Sequence, residues 1–393
     1  PPRRLDRLDQ RWRTRNSRYS YTNTGAGVTA YVIDTGIMAS HIDFGGRVGA
    51  GYTVYSDGRG TTDCNGHGTH VAGTIGGSTY GIAKAVSLIP VRVLSCSGSG
   101  SISGVIAGIN WAINDHASGT PAVANMSLGG SYSASLNSAV ANATADGIVF
   151  AVAAGNNRRL ACSYSPASAP TAITVGAIGG SDDRASFTNY GTCVDVFAPG
   201  VSILSATITS SSASRMLSGT SMASPHVAGA AALLLQSDPT ATPAQIAALI
   251  VNSATPDVIT GLAAGSPNLV LYTGAAFVSP NPVAPSVPTS LTAVGGVTQA
   301  SLAWIAPTQS GGAEVTDYVV EYSSNSGSTW AVFADGVSTS TAATVTGLTN
   351  GTTYQFRVKA VSSGGTSEAS STATAIVGVP SEPTSLSATP LGL

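Results

Sequence analysis

Three side chains whose types suit nucleophilic catalysis stand far apart in this sequence. Asp34 follows an apolar run at 28–33, His67 lies between two glycines, and Ser221 precedes the helix-forming run 222–235. A serine at the positive end of a helix can attack a carbonyl when an imidazole takes its proton and a carboxylate orients that imidazole. Asp, His, Ser is one of the chain orders in which such triads occur. The pattern therefore predicts acyl transfer through a covalent intermediate.

Each of these residues also has a simpler structural explanation. A serine at a helix start usually caps the helix, Asp34 suits a turn, and His67 suits a cap or a surface position. The catalytic interpretation is favoured because all three occur together with Asn156, which follows an Ala-Ala-Gly segment. The Asn156 amide and the Ser221 N–H would donate hydrogen bonds to the negative oxygen of a tetrahedral intermediate. A purely structural Asn156 is the alternative.

Buried strands and glycine-rich helices must position these side chains. The apolar runs 28–33, 86–93, 122–127 and 148–153 predict strands, and sites in open α/β sheets lie at the carboxyl ends of strands. A helix rich in Gly and Ala is predicted over 69–75, where small residues allow close approach to the sheet.

Two further helices are predicted as packing elements. Thr242 followed by Pro243 and Gln245 is typical of a capped helix start. Apolar residues at helical spacing predict a core face of the other helix: Ile102, Val105, Ile106, Ile109 and Ile113.

Five motifs carry a resemblance to a known family. The chain resembles the subtilisin family of serine proteases (subtilases), and within it the secreted proteinase K and aqualysin-like enzymes, over roughly residues 5–275. The resemblance implies an α/β fold with a doubly wound, mostly parallel sheet, and broad-specificity serine endopeptidase activity in the extracellular space. It also implies a pro-segment that acts as an intramolecular inhibitor. The motifs lie at 31–36, 65–73, 125–130, 153–156 and 219–226.

The resemblance also implies where substrate binds. The Gly/Ser run 97–101 reads by default as a flexible linker, but the resemblance makes it one edge along which an extended peptide pairs. Tyr164 would lie nearer the floor of the pocket for the residue before the scissile bond. These segments carry no Asp or Glu, so we expect an apolar or aromatic preference. The implied substrate-binding residues are Gly98, Ser99, Gly100, Ser127, Leu128, Gly129, Ala153, Ala154 and Gly155.

Structural calcium (Ca²⁺) is the cofactor that the resemblance implies, at two sites. Pro170, Ala172 and Asp195 match one site, the first two through backbone carbonyls that leave no sequence signal. The other site would use Asp6, Asp9 and Gln10, whose oxygens suit a hard cation. Asn16 and Arg18 depart from the relatives' ligands there. Ordinary surface aspartates are the alternative at both sites.

Composition restricts the partners. Charged residues make up 9% of the 393 residues and the net charge is −2, so we expect no nucleic-acid partner. No run of about 18 apolar residues occurs, so we expect no membrane span. The chain starts without Met, signal peptide or pro-segment, so we expect these to have been removed or omitted. We expect a monomer that acts on protein and peptide substrates.

Four cysteines fall into two pairs that are close in sequence, Cys64 with Cys96 and Cys162 with Cys193. Spacing alone allows three disulfide connectivities, and the resemblance implies the nearest-neighbour pairing. Zinc binding is disfavoured because no pair has Cys-x-x-Cys spacing. Two disulfides indicate an oxidising compartment, in agreement with a secreted protein.

We expect residues 1–277 to form the domain that resembles the subtilisin-like serine proteases. Residues 278–287 are rich in Pro and predict a semi-rigid linker. Over 288–379, short Val-, Thr- and Tyr-rich runs alternate with Gly, Asn and Ser, which predicts a β-sandwich. These positions resemble the framework of a fibronectin type III domain, with a tyrosine corner at 348–354: Leu291, Trp304, Tyr318, Leu348, Gly351, Tyr354, Phe356 and Val358.

An internal repeat supports this domain organisation. The segment 285–291 recurs with small changes at 380–386. Residues 380–393 are therefore predicted to be the first strand of a second copy that is cut short. A spacer and a polymer- or surface-binding module are both open functions for the fibronectin-like domain.

Two other function classes fit the sequence less well. A lipase or esterase of the α/β-hydrolase type needs Gly-x-Ser-x-Gly at the nucleophile and a histidine after the serine, whereas position 223 is Ala and His67 precedes Ser221. A binding protein with a silent protease-like domain has no need to keep Asp34, His67, Ser221 and Asn156 together. The sequence favours the enzyme over both.

Overall fold

The computed structural model describes residues 5–11, 18–274, 284–308 and 315–378 of the 393-residue chain. The chain divides into two compact units, Pro1–Pro280 and Asn281–Leu393. The predicted second repeat at 380–393 and residues 278–283 of the predicted linker lie outside the described residues. Within the described ranges, no helix combines the length and apolar character needed to cross a bilayer.

The first unit combines strands and helices. In its described part, the strands are β1 (Thr29–Asp34), β2 (Tyr52–Thr53), β3 (Ser87–Arg92), β4 (Ala122–Met126), β5 (Gly130–Ser131), β6 (Ile148–Ala153), β7 (Tyr164–Ser165), β8 (Ile173–Ile178), β9 (Val196–Pro199), β10 (Ile203–Ala206), β11 (Ser214–Leu217), β12 (Thr255–Pro256) and β13 (Leu269–Val270). The α-helices are α1 (His67–Gly76), α2 (Ile102–Asp115), α3 (Ala134–Ala145), α4 (Thr220–Ser237) and α5 (Pro243–Ser253). Short 3-10 helices lie at Leu5–Arg7, Ile42–Phe44 and Ala161–Ser163.

One sheet organises this unit, with the strand order β12-β13-β9-β8-β6-β4-β1-β3-β2. Its neighbouring strands are parallel except β12 and β13. The chain passes from β1 to β3 on one side and then to β4 on the other, so the strand order reverses at β1. In open α/β sheets, ligands bind outside the carboxyl ends of the strands at such a switch point. The predicted mostly parallel sheet is confirmed.

Helices cover both faces of the sheet. Successive side chains of a strand point to opposite faces. Ala30 and Val32 therefore belong to an apolar cluster with residues of α1, α4 and α5, whereas Tyr31 and Ile33 belong to a cluster with residues of α2 and α3. Burial on both faces explains why β1 is apolar without alternation, and it confirms the doubly wound architecture.

The expectation that all five apolar residues of α2 belong to the core is wrong at its first residue. Val105 and Ile109 are buried, and Ile106 and Ile113 are half-buried. Ile102, however, is 44% exposed, because it starts the helix at the rim of a surface cleft. The helix caps are as expected for α5, where Thr242 and Gln245 form a capping box.

Both expected disulfides, Cys64–Cys96 and Cys162–Cys193, are present. The first joins the loop that leads into α1 with the segment after β3. Arg92, the last residue of β3, lies beside this disulfide with its side chain buried. Its guanidinium donates to Asp57 Oδ1 at 2.9 Å and to the Gly60 carbonyl at 3.1 Å, as a buried charge requires. The segment ahead of His67 is therefore anchored covalently and by the hydrogen bonds of Arg92.

The second unit is a sandwich of antiparallel strands. In its described part, the strands are β14 (Thr289–Gly296), β15 (Gln299–Ile305), β16 (Val315–Ser323), β17 (Ala331–Val332), β18 (Ala342–Thr346), β19 (Thr353–Ser362), β20 (Gly365–Thr366) and β21 (Ala373–Ile376). One sheet has the order β14-β15-β18, and the other joins β17, β16 and β19, with β20 and β21 both paired to β19. This agrees with the predicted all-β sandwich.

Seven of the eight predicted framework residues belong to the buried core of the second unit, whereas Gly351 is exposed in a turn. Trp304, Tyr318 and Phe356 are among the buried residues, and alternate residues of β15 and β19 point inward. The Tyr354 hydroxyl accepts a hydrogen bond from the backbone N–H of Thr349 at 3.2 Å. This is the contact expected of a tyrosine corner.

Close approach of α1 to the β1–α1 connection depends on a glycine. A Cβ atom at Gly68 would overlap the backbone carbonyl oxygen of Gly36, and backbone cannot rotate out of the way. We predict that Gly68→Ala lowers the free energy of unfolding of the first unit by about 1–3 kcal/mol, the usual cost of overpacking. Urea denaturation of the full chain measures this loss.

Gly104→Ala in α2 is the matched control. The nearest atom to its added Cβ is the side-chain oxygen of Ser101 at 3.1 Å, which can move. We expect a change below about 1 kcal/mol there. Equal stability of Gly68→Ala and the wild type would contradict the close-packing argument.

Candidate active site

Two of the three predicted catalytic residues are joined by direct hydrogen bonds. Asp34 ends β1 and is fully buried, while His67 begins α1 with its side chain 25% exposed. The His67 Nδ1 atom lies 2.8 Å from Asp34 Oδ1 and 3.0 Å from Asp34 Oδ2. The Thr35 N–H also donates to Asp34 Oδ1 at 2.7 Å. With Nδ1–H donated to the carboxylate, the other ring nitrogen of neutral His67 is left as a proton acceptor.

The surroundings of His67 favour its protonated form. Burial alone would lower its pKa, but the charge and hydrogen bond of Asp34, with the charge of Asp63, outweigh burial. The pKa of His67 is therefore raised above the ordinary 6.5. A raised pKa makes the imidazole a stronger base while leaving it neutral at alkaline pH.

Asp63 stabilises the turn that precedes His67. Its role was not predicted from the sequence. Asp63 Oδ1 accepts from the Thr35 hydroxyl and from the N–H groups of Asn65 and Gly66, each at 2.9 Å. Its Oδ2 accepts from Thr69 N–H at 2.9 Å and from the Thr69 hydroxyl at 2.7 Å. Asp63 lies four residues before α1, whose N-cap is Gly66, so it does not occupy the capping position that a sequence pattern would single out.

Ser221 is the second residue of α4, where backbone N–H groups have no acceptor within the helix. Its hydroxyl donates to the Ser127 carbonyl oxygen at 3.0 Å, and the Ser127 hydroxyl donates to the Ser221 carbonyl oxygen at 2.7 Å. A hydroxyl has one proton to donate. Transfer of that proton to His67 therefore requires the Ser221 hydroxyl to leave Ser127.

The amide of Asn156 is oriented by Thr220. Asn156 Oδ1 accepts from the Thr220 N–H at 2.9 Å and from the Thr220 hydroxyl at 3.0 Å. With its oxygen engaged, the amide presents its NH₂ group as the free donor on the Ser221 side. Thr220 was not singled out from the sequence, because a threonine before a helical serine has no chemical signature of its own.

Two neighbouring cavities form a cleft that includes all the expected substrate-binding residues. The larger, about 520 Å³, is lined by His67 and Ile102 together with Gly98, Ser99, Gly100, Ser127, Leu128 and Gly129. The smaller, about 320 Å³, is lined by Ser221, Asn156 and Tyr164 together with Leu128, Gly129, Ala153, Ala154 and Gly155. The residues that line the smaller cavity include no Asp, Glu, Lys or Arg.

The Gly/Ser run beside the larger cavity is a turn in this structure. The Ser95 N–H donates to the Ser99 carbonyl at 2.9 Å, and the Gly98 N–H donates to the Ser95 carbonyl at 2.9 Å. The run is therefore ordered by its own backbone hydrogen bonds, which a flexible linker would lack.

The structure places the first set of expected calcium ligands around β8 and β9. Pro170 is exposed and Ala172 is buried just before β8, and Asp195 directly precedes β9. Asp195 accepts a hydrogen bond from Thr174 N–H at 2.7 Å. Burial raises the pKa of Asp195 above its ordinary value despite that bond. A bound cation would offset the free-energy cost of burying the ionised Asp195 carboxylate.

The second set of expected calcium ligands lies in the amino-terminal segment. Gln10 Nε2 donates to Asp6 Oδ1 at 2.6 Å, so its nitrogen faces that carboxylate. Asp9 Oδ2 accepts from Ser20 N–H at 2.7 Å, whereas Asp9 Oδ1 is buried without a hydrogen-bond partner. Burial, with a contribution from Asp6, raises the pKa of Asp9. The unpartnered oxygen fits a cation ligand.

Neither set is a cluster of side-chain ligands. In the described ranges, no group of three or more His, Cys, Asp or Glu side chains could hold a metal. Any calcium site there would need backbone carbonyls, amides or water as further ligands.

This site and this sheet define a serine-protease-like centre on an α/β scaffold. A subtilase family model matches residues 25–275, more than half of the sequence. The chain belongs to the subtilase family. Residues 285–376 match the fibronectin type III domain.

Relatives named as proteases share the first unit. The chain is 60% identical over 247 residues to an extracellular serine proteinase of Thermus sp. (strain Rt41A), an alignment that covers 63% of this chain and 60% of that protein. It is 56% identical over 248 residues to alkaline serine exoprotease A of Vibrio alginolyticus, covering 63% of this chain and 46% of that protein. The chain therefore spans about half of the length of these relatives.

A solved structure supports the same assignment. The crystal structure of a cold adapted subtilisin-like serine proteinase matches with a TM-score of 0.67 and 50% identity. The match covers 69% of this chain and 98% of that chain. The match supports the subtilisin-like fold.

We predict that His67 titrates above pH 6.5 in the folded chain. The Asp34→Asn variant, which removes the stabilising negative charge, should lower that midpoint by one pH unit or more, because a nearby carboxylate typically shifts a pKa by about 1–3 units. NMR titration of the histidine ring signals measures both midpoints.

His70 is an internal control in the same experiment. Burial lowers its pKa to about 4, so its ring should stay neutral through the His67 transition. A His67 midpoint at or below 6.5, or one that Asp34→Asn leaves in place, would contradict the assigned electrostatics.

Proposed function

We propose that this protein is a secreted serine endopeptidase that hydrolyses peptide bonds through an acyl-enzyme. The observation that carries the proposal is the Asp34–His67 hydrogen bond at a cleft whose adjoining wall holds Ser221 and Asn156. Subtilase family membership supports it. The extracellular naming of a relative supports secretion.

In the proposed mechanism, the Ser221 hydroxyl leaves Ser127 and attacks the substrate carbonyl while His67 takes its proton. Asp34 holds the imidazole in the required tautomer and stabilises it when it becomes charged. The Asn156 amide and the Ser221 N–H donate to the oxyanion. His67 then returns the proton to the leaving amine, and water hydrolyses the acyl-enzyme by the same steps. Since neutral His67 is the base, kcat/KM should fall as the pH drops through its raised pKa.

The cleft supports broad specificity with a preference for apolar or aromatic residues before the scissile bond. The smaller cavity has no charged lining residue to select Lys or Arg, and its volume of about 320 Å³ accommodates a large side chain. Segments 98–100 and 127–129 lie on the larger cavity, where an extended peptide would pair with backbone groups.

The partners proposed for the chain follow from this activity and from the family. Protein and peptide substrates occupy the cleft, and a pro-segment of the precursor inhibits it before processing. We propose that the mature chain acts as a monomer. For the fibronectin type III domain, a spacer and a polymer- or surface-binding module stay the two alternatives.

We further propose structural calcium at the two sites implied by the family. Asp195, with the carbonyls of Pro170 and Ala172, would hold one ion, and Asp6, Asp9 and the Gln10 amide oxygen would contribute to the other. The raised pKa of Asp9 and Asp195 and the unpartnered Asp9 Oδ1 support this. When bound, calcium would stabilise loops and take no part in the chemistry.

Replacing the nucleophile tests the proposed activity. We predict that Ser221→Ala lowers kcat for casein hydrolysis by about 10⁶-fold, the magnitude known for loss of the nucleophile in subtilisin. The control is Ser212→Ala, an exposed serine outside both cavities. Undiminished hydrolysis by Ser221→Ala, or wild-type hydrolysis that a serine-specific inhibitor leaves intact, would reject the proposal.

Calcium removal tests the metal sites. In the inactive Ser221→Ala chain, we predict that added CaCl₂ raises the melting temperature relative to EGTA, because ligand binding to the folded state stabilises it. Asp9→Asn and Asp195→Asn should each reduce that difference, whereas Asp335→Asn on an exposed loop of the second unit should not. Identical melting curves with calcium and with EGTA would refute both sites.

A further inference from the structure

Asn189 is a fully buried polar residue that none of the proposed catalytic steps uses. It lies on the segment that follows β8 and runs beside the loop after β6. Its Nδ2 donates to the Ala154 carbonyl at 2.8 Å. Its Oδ1 accepts from the N–H groups of Asn157 at 2.9 Å and Arg159 at 3.1 Å. Both ends of this buried amide are therefore satisfied by one loop.

These hydrogen bonds lie on both sides of Asn156. The Asn189 side chain bonds residues 154 and 157, and the Asn189 backbone N–H donates to the Gly155 carbonyl at 2.9 Å. One residue thus fixes the backbone just before and just after the exposed Asn156. A side chain that bridges both flanks of a loop restricts the position of the residue between them.

Gly155 allows Asn189 to approach this closely. Its φ is +101°, a conformation that favours glycine. A Cβ atom at this position would overlap Nδ2 of Asn189. The Ala-Ala-Gly-Asn segment therefore needs its glycine both for backbone conformation and for space beside Asn189.

The Asn156 amide is then fixed at a second point. Its Oδ1 is held by Thr220 at the start of α4, and the Gly155 N–H donates to the Thr220 hydroxyl at 3.1 Å. Thr220 fixes the rotation of the Asn156 amide about its side-chain bonds. Asn189 fixes the position of the backbone loop that carries Asn156. The Asn156 amide is thus constrained both through its own side chain and through the backbone that carries it.

We propose that Asn189 is a positioning residue for the oxyanion-binding amide of Asn156, an inference that rests on the proposed function. Asn189 does not touch substrate. It acts by keeping the Asn156 donor at the distance where it bonds the transition-state oxygen and only weakly the ground-state carbonyl. Loss of Asn189 should therefore lower kcat much more than it raises KM.

A double-mutant cycle between positions 189 and 156 tests this role. With a peptide anilide carrying Phe before the scissile bond, Asn189→Ala should lower kcat by about 10-fold or more, within the 10²–10³-fold known for removal of a whole oxyanion donor. In an Asn156→Ala background, the same change should lower kcat by less than about 2-fold, since the donor to be positioned is gone. KM should change little in either background.

Two further variants help to interpret the cycle. Asn189→Asp keeps the acceptor for Asn157 and Arg159, but its ionised form turns an oxygen instead of a donor towards the Ala154 carbonyl. We therefore expect a loss of kcat at least as large as in Asn189→Ala, together with lower stability. The matched control is Asn268→Ala. Asn268 also bridges a loop, accepting from and donating to the backbone of Ile259 at 2.8 and 3.3 Å, away from both cavities. It should lower stability and leave kcat unchanged.

A transition-state analogue separates positioning from general stability. A peptide aldehyde places a negative oxygen at the Asn156 amide when Ser221 adds to it, so Asn189→Ala should weaken its binding in parallel with kcat. Equal losses of kcat in the two backgrounds, or an unchanged kcat in Asn189→Ala and Asn189→Asp, would overturn the positioning role alone. Full activity in Ser221→Ala would instead overturn the proposed function and this inference with it.

Discussion

A carboxylate buried at the end of a central strand must be paired, and Asp34 meets this requirement through His67 and the Thr35 N–H. Charge buried without partners would cost several kcal/mol. The imidazole is therefore drawn to one place at the sheet edge, and its pKa is raised by the same interaction. Gly68 and Asp63 serve this pairing, because they let α1 start close to the strand and hold the turn before it.

Helix α4 positions the other half of the site, which contains Thr220 and Ser221. The helix is built of small and aliphatic residues that are almost all buried. It therefore packs closely against the sheet, which fixes the position of its first turn. That turn provides the Ser221 hydroxyl, the Ser221 N–H and the Thr220 groups that orient Asn156. Helix α4 thus carries Ser221 itself and orients the Asn156 amide, which lies on a separate loop, through Thr220.

The loops around the cleft are ordered by disulfides and by single buried polar side chains. Charged residues, which could form ion pairs between loops, are scarce in this chain. Two disulfides close loops ahead of His67 and beside the Asn156 region. Buried side chains such as Asp63, Arg92 and Asn189 satisfy the loop backbone directly. Each loop is therefore ordered by one or two groups, and loss of one group should affect the site more than the core.

The sequence by itself determined the protein class and the architecture. Asp34, His67, Ser221 and Asn156 were identifiable as candidates because nucleophilic catalysis restricts residue type. The strands were identifiable because burial on both sheet faces demands continuous apolar runs. Tertiary structure alone decided what depends on distant contacts. Ile102 lies on the cleft because of where α2 begins, and the Ser221 hydroxyl bonds Ser127. Asn189 reaches the Asn156 loop only through strand pairing that local sequence does not encode.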